Sequence, residues 1–373
     1  METAMTRSKQ SLPAEPDTAP GRPVVFIPVS GPSGAGEYYR CAAIAEALLA
    51  ISPEQPVHFI LNAEASIHRD HRFIYHTIPG TPTHHSDQVI GHLRDLEPAA
   101  VVFDSSMRTR QLAAARSTGA VVVAVVSRTS KRRRLLQPLK LRHVDSVWVV
   151  GAPPAHQRTG GIERLLTLGW KGKLSFGGTV LSPPHETELP TTLEDDGYVL
   201  VAPGGGGGSV NGQRADQFFS EVALTLARDN ELPVLFVPGP LSQAELPAND
   251  RLTSIRSLSP GGLRAAISRA RLCVVGGGSI LGQGLALGKP CISVPAGGRD
   301  QPRRIAELAR RDLLQEPVDH SVAGIAATAT RLWNDAQARA RLSRRARVAK
   351  YGDSAASIAA DILERVAKHP GSR

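Results

Sequence analysis

The sequence predicts an α/β protein of two domains, each built on a parallel sheet. Three observations support this prediction. The chain has 373 residues, which is more than one ordinary hydrophobic core accommodates. Short β-branched runs alternate with glycine-rich turns and helix-length amphipathic segments, a pattern typical of βα units. This series occurs twice, and each half begins with a strand that runs into a glycine-rich loop.

The predicted strands are short apolar runs that recur along both halves, each followed by a turn. In the first half they lie at 24–29, 57–61, 100–104, 121–126 and 146–150. In the second half they lie at 198–202, 234–237, 272–275 and 291–294.

Local composition predicts the domain boundaries. Residues 1–22 are polar and proline-rich and lack the apolar core of a secretory signal, so we expect a disordered leader. The proline- and acid-rich segment LSPPHETELPTTLEDD (181–196) separates the two halves. The predicted domains are therefore 23–185 and 196–350. A closing helix is expected over 351–368, because DSAASIAADILERVAKH begins with an aspartate and ends with lysine and histidine.

Composition excludes several classes of protein. Apolar residues make up 41% and charged residues 21%, which excludes bulk disorder and a coiled coil. No window approaches the roughly 18 consecutive apolar residues of a membrane span. The cysteines Cys41, Cys273 and Cys291 are far apart in apolar segments, so we expect buried thiols rather than a metal site. These features favour a cytoplasmic protein.

The net charge of +10 points to an anionic partner. Nucleic acid is disfavoured, because aromatic residues make up only 4% and form no stacking series. The segment 128–143 holds seven lysines and arginines and no acid, together with Leu135, Leu136 and Leu139. This mixture suits the anionic inner face of a membrane or a phosphorylated acceptor, and a solvated run of charge is the alternative.

The first glycine-rich loop is predicted to face an anion or an acceptor. A strand ends there and a helix opens near Gly36, so Gly34 and Gly36 would let a ligand approach the positive end of that helix. Glu37 is a candidate general base, and the alternative is a glutamate that complements the helix dipole. Arg40 would pair with Glu37, bind a substrate phosphate, or remain solvated.

Asp104 is the second candidate for a catalytic residue. It ends the strand in VVFDSS, and in a parallel sheet that position points into the same cleft. It would act as a base or orient the acceptor, and a carboxylate that caps the next turn is the alternative.

A second glycine-rich loop follows the first strand of the second half. Five consecutive glycines cost much backbone entropy, which favours ligand contact over a purely structural role. The predicted binding residues in this loop are Gly205, Gly206, Gly207 and Ser209.

The third loop has the strongest signal. GGGSILGQGLALGKPCISVP predicts a strand end, three glycines (Gly276, Gly277 and Gly278), an N-cap at Ser279, a helix and a stop at Gly288. A diphosphate would fit at that helix start, and Gln283 would exchange hydrogen bonds with sugar hydroxyls. Packing alone is the alternative.

A polar pair, Asp300 and Gln301, opens the next helix, with arginines on either side. The pair would bind hexose hydroxyls while the arginines offset phosphate charge. Solvated helix residues are the alternative.

At these residues the chain resembles glycosyltransferases of the MurG type, in glycosyltransferase family 28. GGGSILGQGLALGKPCISVP followed by DQ resembles the family's nucleotide-sugar signature. GPSGAGEYYRCAAIAEAL resembles the acceptor loop of the related nucleotide-sugar hydrolase of the pseudaminic-acid pathway.

The resemblance implies a GT-B architecture, in which two Rossmann-like domains face each other across a cleft. A UDP-sugar would be held by the second domain and an acceptor by the first. The backbone near Ser257 and Leu258 would contact the base. The implied reaction is an inverting transfer of a hexose or N-acetylhexosamine to a hydroxyl or amine. The acceptor would be a small molecule, a lipid-linked molecule or a carbohydrate. No metal and no cofactor beyond the nucleotide-sugar co-substrate are implied.

Three positions depart from the family pattern. Glu37 stands where the relatives carry histidine, and Gln283 where a ribose-binding glutamate is usual. Asp300 and Arg304 replace the histidine and asparagine that flank Gln301. Two alternatives therefore stay open, a nucleotide-sugar hydrolase and a nucleotide-sugar binding protein with impaired catalysis.

Overall fold

The computed structural model describes residues 21–31, 35–65, 67–127, 129–151, 159–193, 195, 197–349 and 351–369. Within these ranges the first half forms a seven-stranded parallel sheet. Its strands are β1 (Val24–Pro28), β2 (Val57–Asn62), β3 (Ile74–Ile78), β4 (Ala100–Asp104), β5 (Val121–Val126), β6 (Ser146–Val149) and β7 (Lys173–Phe176). Its helices are α1 (Gly36–Ile51), α2 (Ser86–Leu96), α3 (Thr109–Ser117), α4 (Thr129–Leu135), α5 (Pro138–Leu141) and α6 (Gly161–Leu166).

The second half forms a five-stranded parallel sheet and a small hairpin. Its strands are β8 (Val199–Ala202), β9 (Ser209–Val210), β10 (Gln213–Arg214), β11 (Val234–Phe236), β12 (Leu252–Ser254), β13 (Leu272–Gly276) and β14 (Cys291–Val294). Its helices are α7 (Ala215–Leu224), α8 (Pro260–Arg269), α9 (Ser279–Ala286), α10 (Gln301–Ala309), α11 (Val322–Asn334) and α12 (Ala336–Val348). A last helix, α13 (Ala355–Lys368), follows.

The strand order places a crevice in each sheet. The first sheet runs β3-β2-β1-β4-β5-β6-β7, so the chain moves outward from β1 to β3 and then returns to β4 on the other side of β1. The second runs β12-β11-β8-β13-β14 and reverses in the same way between β8 and β13. The loops that follow the two strands at such a reversal diverge, which opens a crevice at the carboxyl edge of the sheet. Every glycine-rich loop singled out in the sequence follows one of these strands.

The nine predicted strands are confirmed, each within one residue at either end. Three strands at sheet edges, β3, β7 and β12, and the β9–β10 hairpin were not predicted. These three edge strands are short and mostly exposed or half-buried. They therefore lack the continuous apolar run that marks a central parallel strand.

The C-terminal helix α13 packs on the first domain. Ile358 and Ile362 lie in the same buried cluster as Phe26 of β1. Asp361 accepts hydrogen bonds from Ser146 Oγ at 2.7 Å and from Trp148 Nε1 at 2.9 Å. The chain therefore crosses between the domains twice, and its last helix completes the core of the first.

The two segments that cross between the domains, one around Thr179 and one around residues 351–354, run side by side. The Thr179 amide donates to the Tyr351 carbonyl at 3.0 Å, and the Ser354 amide donates to the Thr179 carbonyl at 2.9 Å. A Cβ atom at Gly178 would lie 2.0 Å from the Gly352 carbonyl oxygen, so the two backbones require glycine there.

Two further predictions concern the chain as a whole. Cys41, Cys273 and Cys291 are buried free thiols, as predicted. In the described part of the chain, no helix combines the length and the apolar character needed to cross a membrane.

Candidate functional site

Glu37 lies in the first turn of α1, at the crevice of the first sheet. Its Oε1 is 3.2 Å from Nζ of Lys131 in α4, and the side chains of Glu37 and Lys131 are 23% and 16% exposed. The ion pair holds the carboxylate near the carboxyl edge of the sheet while leaving part of it open to solvent. Gly36 opens α1, and a Cβ atom there would meet nothing within 4 Å. Gly34 lies outside the described residues.

Arg40 and Asp104 form an ion pair beneath Glu37. Arg40 Nε is 2.6 Å from Asp104 Oδ2, and the Asp104 side chain is fully buried. Burial raises the pKa of the Asp104 carboxyl, and the Arg40 guanidinium opposes that rise. Of the alternatives considered for Arg40, the structure shows neither the pair with Glu37 nor a solvated side chain.

The burial of Asp104 corrects one expectation. The residue does end β4 at the crevice, but its carboxylate does not reach the open cleft. This geometry favours a positioning role, in which Asp104 fixes Arg40. A role as a base stays a prediction.

The glycine loop after β8 contains two glycines that packing requires. Gly206 has a φ of +83°, and an added Cβ atom would lie 2.5 Å from the Pro238 carbonyl oxygen. At Gly208 an added Cβ atom would lie 2.0 Å from the Ala296 carbonyl oxygen. The structure therefore supplies a packing reason for part of the glycine run.

The remaining predicted residues of this loop are more open. Gly205 and Gly207 are exposed, and a Cβ atom on either would meet only Leu241, at 3.9 and 3.2 Å. Ser209 is exposed in the first strand of the β9–β10 hairpin. A role for these three positions as ligand contacts stays a prediction.

The glycines of the third loop also fall into two groups, those that packing requires and one that is open. A Cβ atom at Gly276 would lie 2.2 Å from the Pro203 carbonyl oxygen, and at Gly277 it would lie 2.7 Å from Ile305 Cδ1. At Gly278 the nearest atom is Gln301 Nε2, at 3.8 Å. Gly276 and Gly277 thus let the loop pack against its neighbours, while Gly278 borders open space.

The start of α9 differs from its prediction by one residue. Gly278 is at the N-cap and Ser279 is the first helical residue, so the predicted N-cap at Ser279 is wrong. No side chain among the described residues caps this end, so the first amides and the helix dipole form the positive end expected beside a diphosphate. Gln283 lies one turn further on and is partly exposed.

The start of α10 packs against the same loop. Asp300 is at its N-cap and Gln301 is its first residue, as predicted. Gln301 Oε1 accepts a hydrogen bond from the Ala296 amide at 2.7 Å. Arg304 Nη1 donates to the Gly277 carbonyl at 2.9 Å, and Arg304 is also paired with the Asp300 carboxylate. Arg304 therefore carries positive charge to the edge of the third loop.

The three loops of the second domain meet at its crevice. The close approaches of Gly276 to Pro203 and of Gly208 to Ala296 join the loops that follow β8, β13 and β14. Leu258 precedes α8 and packs partly buried against the core of the domain.

Asp216 is a supporting residue that was not predicted from the sequence. This buried carboxylate accepts hydrogen bonds from Ser242 Oγ at 3.0 Å and from the amides of Gln243 and Ala244 at 2.8 and 3.1 Å. Burial alone would oppose ionisation, but these bonds and Arg214 hold the pKa of Asp216 well below its ordinary value. The turn that Asp216 holds carries Leu241, whose amide donates to the Gly205 carbonyl at 3.0 Å. The R-x-D pattern at the start of α7, with Arg214 at the N-cap and Asp216 in the first turn, was the available signal.

Only some of the side chains in the basic segment 128–143 are exposed at the protein surface. Arg132 pairs with Glu163 of α6 at 2.8 Å and is buried, and Lys131 pairs with Glu37. Leu135 and Leu136 are buried as well, which corrects the expectation that they face a membrane. Leu139 is 66% exposed. Arg128 lies outside the described residues.

No protein-family model and no curated protein matches this sequence. Several solved structures match in fold. UGT2 of Phytolacca americana, solved with UDP-2-fluoroglucose and pterostilbene, matches with a TM-score of 0.63 and 12% identity over 92% of this chain and 99% of that one. The fold is GT-B.

Two more matches extend the comparison. The spinosyn forosaminyltransferase SpnP gives a TM-score of 0.63 at 15% identity, over 93% of this chain and 100% of that one. A Listeria monocytogenes protein described as a candidate UDP-N-acetylglucosamine 2-epimerase gives 0.56 at 16% identity, over 93% and 97%. At these identities the likeness shows the fold alone, and function rests on the site.

Proposed function

We propose that this protein is a glycosyltransferase that moves a sugar from a UDP-linked donor to an acceptor hydroxyl or amine. One observation carries the proposal. Each sheet has a glycine-rich loop and charged side chains at its strand-order reversal, the place where open α/β sheets bind ligands. In a GT-B fold the two crevices open onto the same cleft. Glycosyltransferases solved with UDP-sugars, such as UGT2 of Phytolacca americana, share this fold.

The donor site is assigned to the second domain. The uncapped amides at the start of α9 and the Arg304 guanidinium would bind the diphosphate. Gln283, Asp300 and the amide nitrogen of Gln301 would contact the sugar, while the backbone at Leu258 would contact the base. These groups would stabilise the negative charge that develops on the leaving diphosphate. The proposal includes no metal ion and no further cofactor.

The acceptor site is assigned to the first domain. The acceptor oxygen or nitrogen attacks the anomeric carbon, and the bond from that carbon to the diphosphate breaks. The electron pair leaves with the diphosphate, and the acceptor proton passes to the Glu37 carboxylate. Arg40, held by Asp104, lies one turn further along α1.

The resemblance to MurG-type enzymes supports a more specific proposal for the sugar and the acceptor. We propose a hexose or N-acetylhexosamine as the sugar, and a small-molecule, lipid-linked or carbohydrate acceptor at the cytoplasmic face of the membrane. The donor loops would serve hydrolysis equally well. Product analysis with and without an acceptor separates the two reactions.

Replacing Gly278 with valine is expected to weaken UDP-sugar binding about tenfold or more. An added Cβ atom at Gly278 would lie 3.8 Å from Gln301 Nε2, an ordinary contact, and the valine side chain would cover the amides proposed to bind the diphosphate. Isothermal calorimetry with UDP and UDP-sugars measures the effect. The control is Gly91→Val in α2 of the first domain, where an added Cβ atom would meet nothing within 4 Å. Equal affinity in the Gly278 variant and the wild type would remove this site assignment.

Membrane contact is proposed for a surface of exposed apolar and basic side chains around α6. Ile162, Leu165 and Leu168 are 77%, 70% and 80% exposed, and the Arg132–Glu163 ion pair holds α6 beside the basic α4. Exposed apolar side chains at α6, together with the exposed Arg133 and Arg134 of α4, suit the interface of an anionic bilayer.

Replacing Leu165 and Leu168 with serine, together with Arg133 and Arg134 with glutamine, is expected to reduce vesicle binding at least fivefold. Co-sedimentation with vesicles rich in phosphatidylserine measures it, since each basic residue contributes about 1 kcal/mol near such a surface. The control replaces Arg341 and Arg344, exposed residues of α12, with glutamine. Equal loss in both variants, or no loss in either, would contradict this surface.

A further inference from the structure

The turn that follows β11, residues 238–244, lies against the glycine loop of the proposed donor site. The Leu241 amide in this turn donates to the Gly205 carbonyl at 3.0 Å. From the first turn of α7, the buried carboxylate of Asp216 accepts hydrogen bonds from three donors of the same turn. We propose, on the basis of the proposed donor site, that Asp216 is a positioning residue. It sets the affinity for the UDP-linked donor by holding the β11 turn against the segments that contact that donor.

The β11 turn and the glycine loop are in direct backbone contact. An added Cβ atom at Gly239 would lie 2.1 Å from the Gly204 carbonyl oxygen. An added Cβ atom at Gly206 would lie 2.5 Å from the Pro238 carbonyl oxygen and 3.1 Å from the Ser242 amide nitrogen. Because segments packed this closely transmit displacements, a shift of the turn would shift the glycine loop as well.

The Asp216 carboxylate anchors the turn to α7. Its Oδ2 accepts hydrogen bonds from the Ser242 hydroxyl and from the amides of Gln243 and Ala244. Arg214, at the N-cap of α7, donates from Nη2 to the same oxygen at 2.9 Å. The Asp216 side chain is fully buried, so water could not easily replace the bonds that it makes. The position of the turn therefore depends on this carboxylate.

Arg256 joins the turn to the segment that is proposed to contact the nucleobase. The Gly239 amide donates to the Arg256 carbonyl at 3.1 Å. Arg256 Nη1 also makes longer hydrogen bonds, of 3.4 and 3.3 Å, to the carbonyl oxygens of Ser242 and Ala244. Residues 257–258, assigned to the base, follow directly in the chain. The turn is thus hydrogen-bonded both to the glycine loop and to the start of the base-contacting segment.

Helix α7 has other contacts that hold it in the fold. Its side chains Phe218, Phe219 and Val222 are buried in a core cluster on the second sheet. These apolar contacts should keep α7 in place when the Asp216 carboxylate is altered. Loss of its hydrogen bonds would therefore release the turn and leave the second domain folded. A released turn has to be ordered again when the donor binds, so donor affinity would fall.

The test is isothermal calorimetry of the full chain with UDP, using Asp216→Asn as the variant. The substitution keeps the size of the side chain but replaces an acceptor oxygen with an amide NH2 group, a donor that would face the donors of the turn. We expect the dissociation constant of UDP to rise about tenfold. Ser242→Ala is a milder variant that removes one donor of the turn and leaves the Arg214 pair intact. It should raise the dissociation constant about two- to fourfold.

The matched control is Asp361→Asn in α13. Asp361 is also a buried carboxylate, and it accepts hydrogen bonds from Ser146 and Trp148, but it packs on the first domain. Urea unfolding should show that both asparagine variants lose stability, while Asp361→Asn changes the dissociation constant of UDP less than about twofold. Steady-state kinetics gives a second measure. In Asp216→Asn the KM for the UDP-sugar should rise while kcat stays within about twofold of the wild type.

The possible results separate the role of Asp216 from the donor site itself. If the wild type bound no UDP, the proposed donor site would be wrong, and the role of Asp216 with it. If the wild type bound UDP and Asp216→Asn bound it equally well, the role of Asp216 alone would be overturned. Equal weakening in the Asp361 variant would overturn that role too, because the loss would then come from general destabilisation. If Asp216→Asn did not fold, full affinity in Ser242→Ala would overturn it as well.

Discussion

Replacing Glu37 with glutamine is expected to lower turnover roughly a hundredfold while donor affinity stays unchanged. Glutamine keeps the size and shape of the side chain but cannot accept the acceptor proton, and loss of general-base assistance has this scale. The start of α1 and Lys131 both place positive charge beside the carboxylate, which holds it in position at the crevice. Steady-state kinetics with a UDP-sugar and an acceptor, together with calorimetry, measure the two quantities separately.

The matched control for Glu37 is Glu54→Gln, an exposed glutamate in the loop after α1. Its kinetic constants should equal those of the wild type. A fall in turnover of less than about threefold in the Glu37 variant would mean that Glu37 only complements the helix dipole. The base would then have to be sought elsewhere in the crevice.

Replacing Asp104 with alanine is expected to destabilise the protein by about 3 to 5 kcal/mol, the usual cost of removing one partner of a buried ion pair. Asp104 is fully buried 2.6 Å from Arg40, so the truncation leaves the guanidinium without its counter-charge in a buried setting. Asp104→Asn should cost less, since the amide oxygen still accepts a hydrogen bond from Arg40. Urea unfolding followed by circular dichroism measures both variants.

The control for Asp104 is Asp87→Ala. Asp87 pairs with Arg110 at 2.7 Å, but both side chains are more than 70% exposed, and exposed pairs contribute less than about 1 kcal/mol. If the Asp104 and Asp87 variants lost equal stability, the buried ion pair would not have the structural role assigned to it.

The central elements of the fold were predictable from local sequence. Strands such as β5, with the run VVVAVV, are buried on both faces and form continuous apolar segments. The edge strand β7, with the run KLSF, is half-exposed and has no such pattern. It forms because β6 presents an unpaired edge, which is a tertiary cause that a local window does not contain.

The candidate site was predictable as a set of loops but not as a set of contacts. The glycine runs identified the loops, yet the approach of Gly276 to the Pro203 carbonyl decides which glycines serve packing. Arg40 and Asp104 are 64 residues apart in the sequence, and Glu37 and Lys131 are 94 apart. Such pairs depend on the order of strands in the sheet, and one sequence does not reveal that order directly.

A thermal-shift series with the wild-type protein measures whether the folded chain binds nucleoside diphosphates and their sugars. The compounds are UDP, UDP-linked hexoses and N-acetylhexosamines, UMP, inorganic diphosphate and tripolyphosphate. A ligand that binds only the folded state stabilises it by about 2.7 kcal/mol at a hundred times its dissociation constant. We expect UDP and at least one UDP-sugar to raise the melting temperature by several degrees, and by more than UMP or inorganic diphosphate does. If no nucleoside diphosphate or its sugar raised the melting temperature above the value with inorganic diphosphate, the assignment of a nucleotide-sugar site would be wrong.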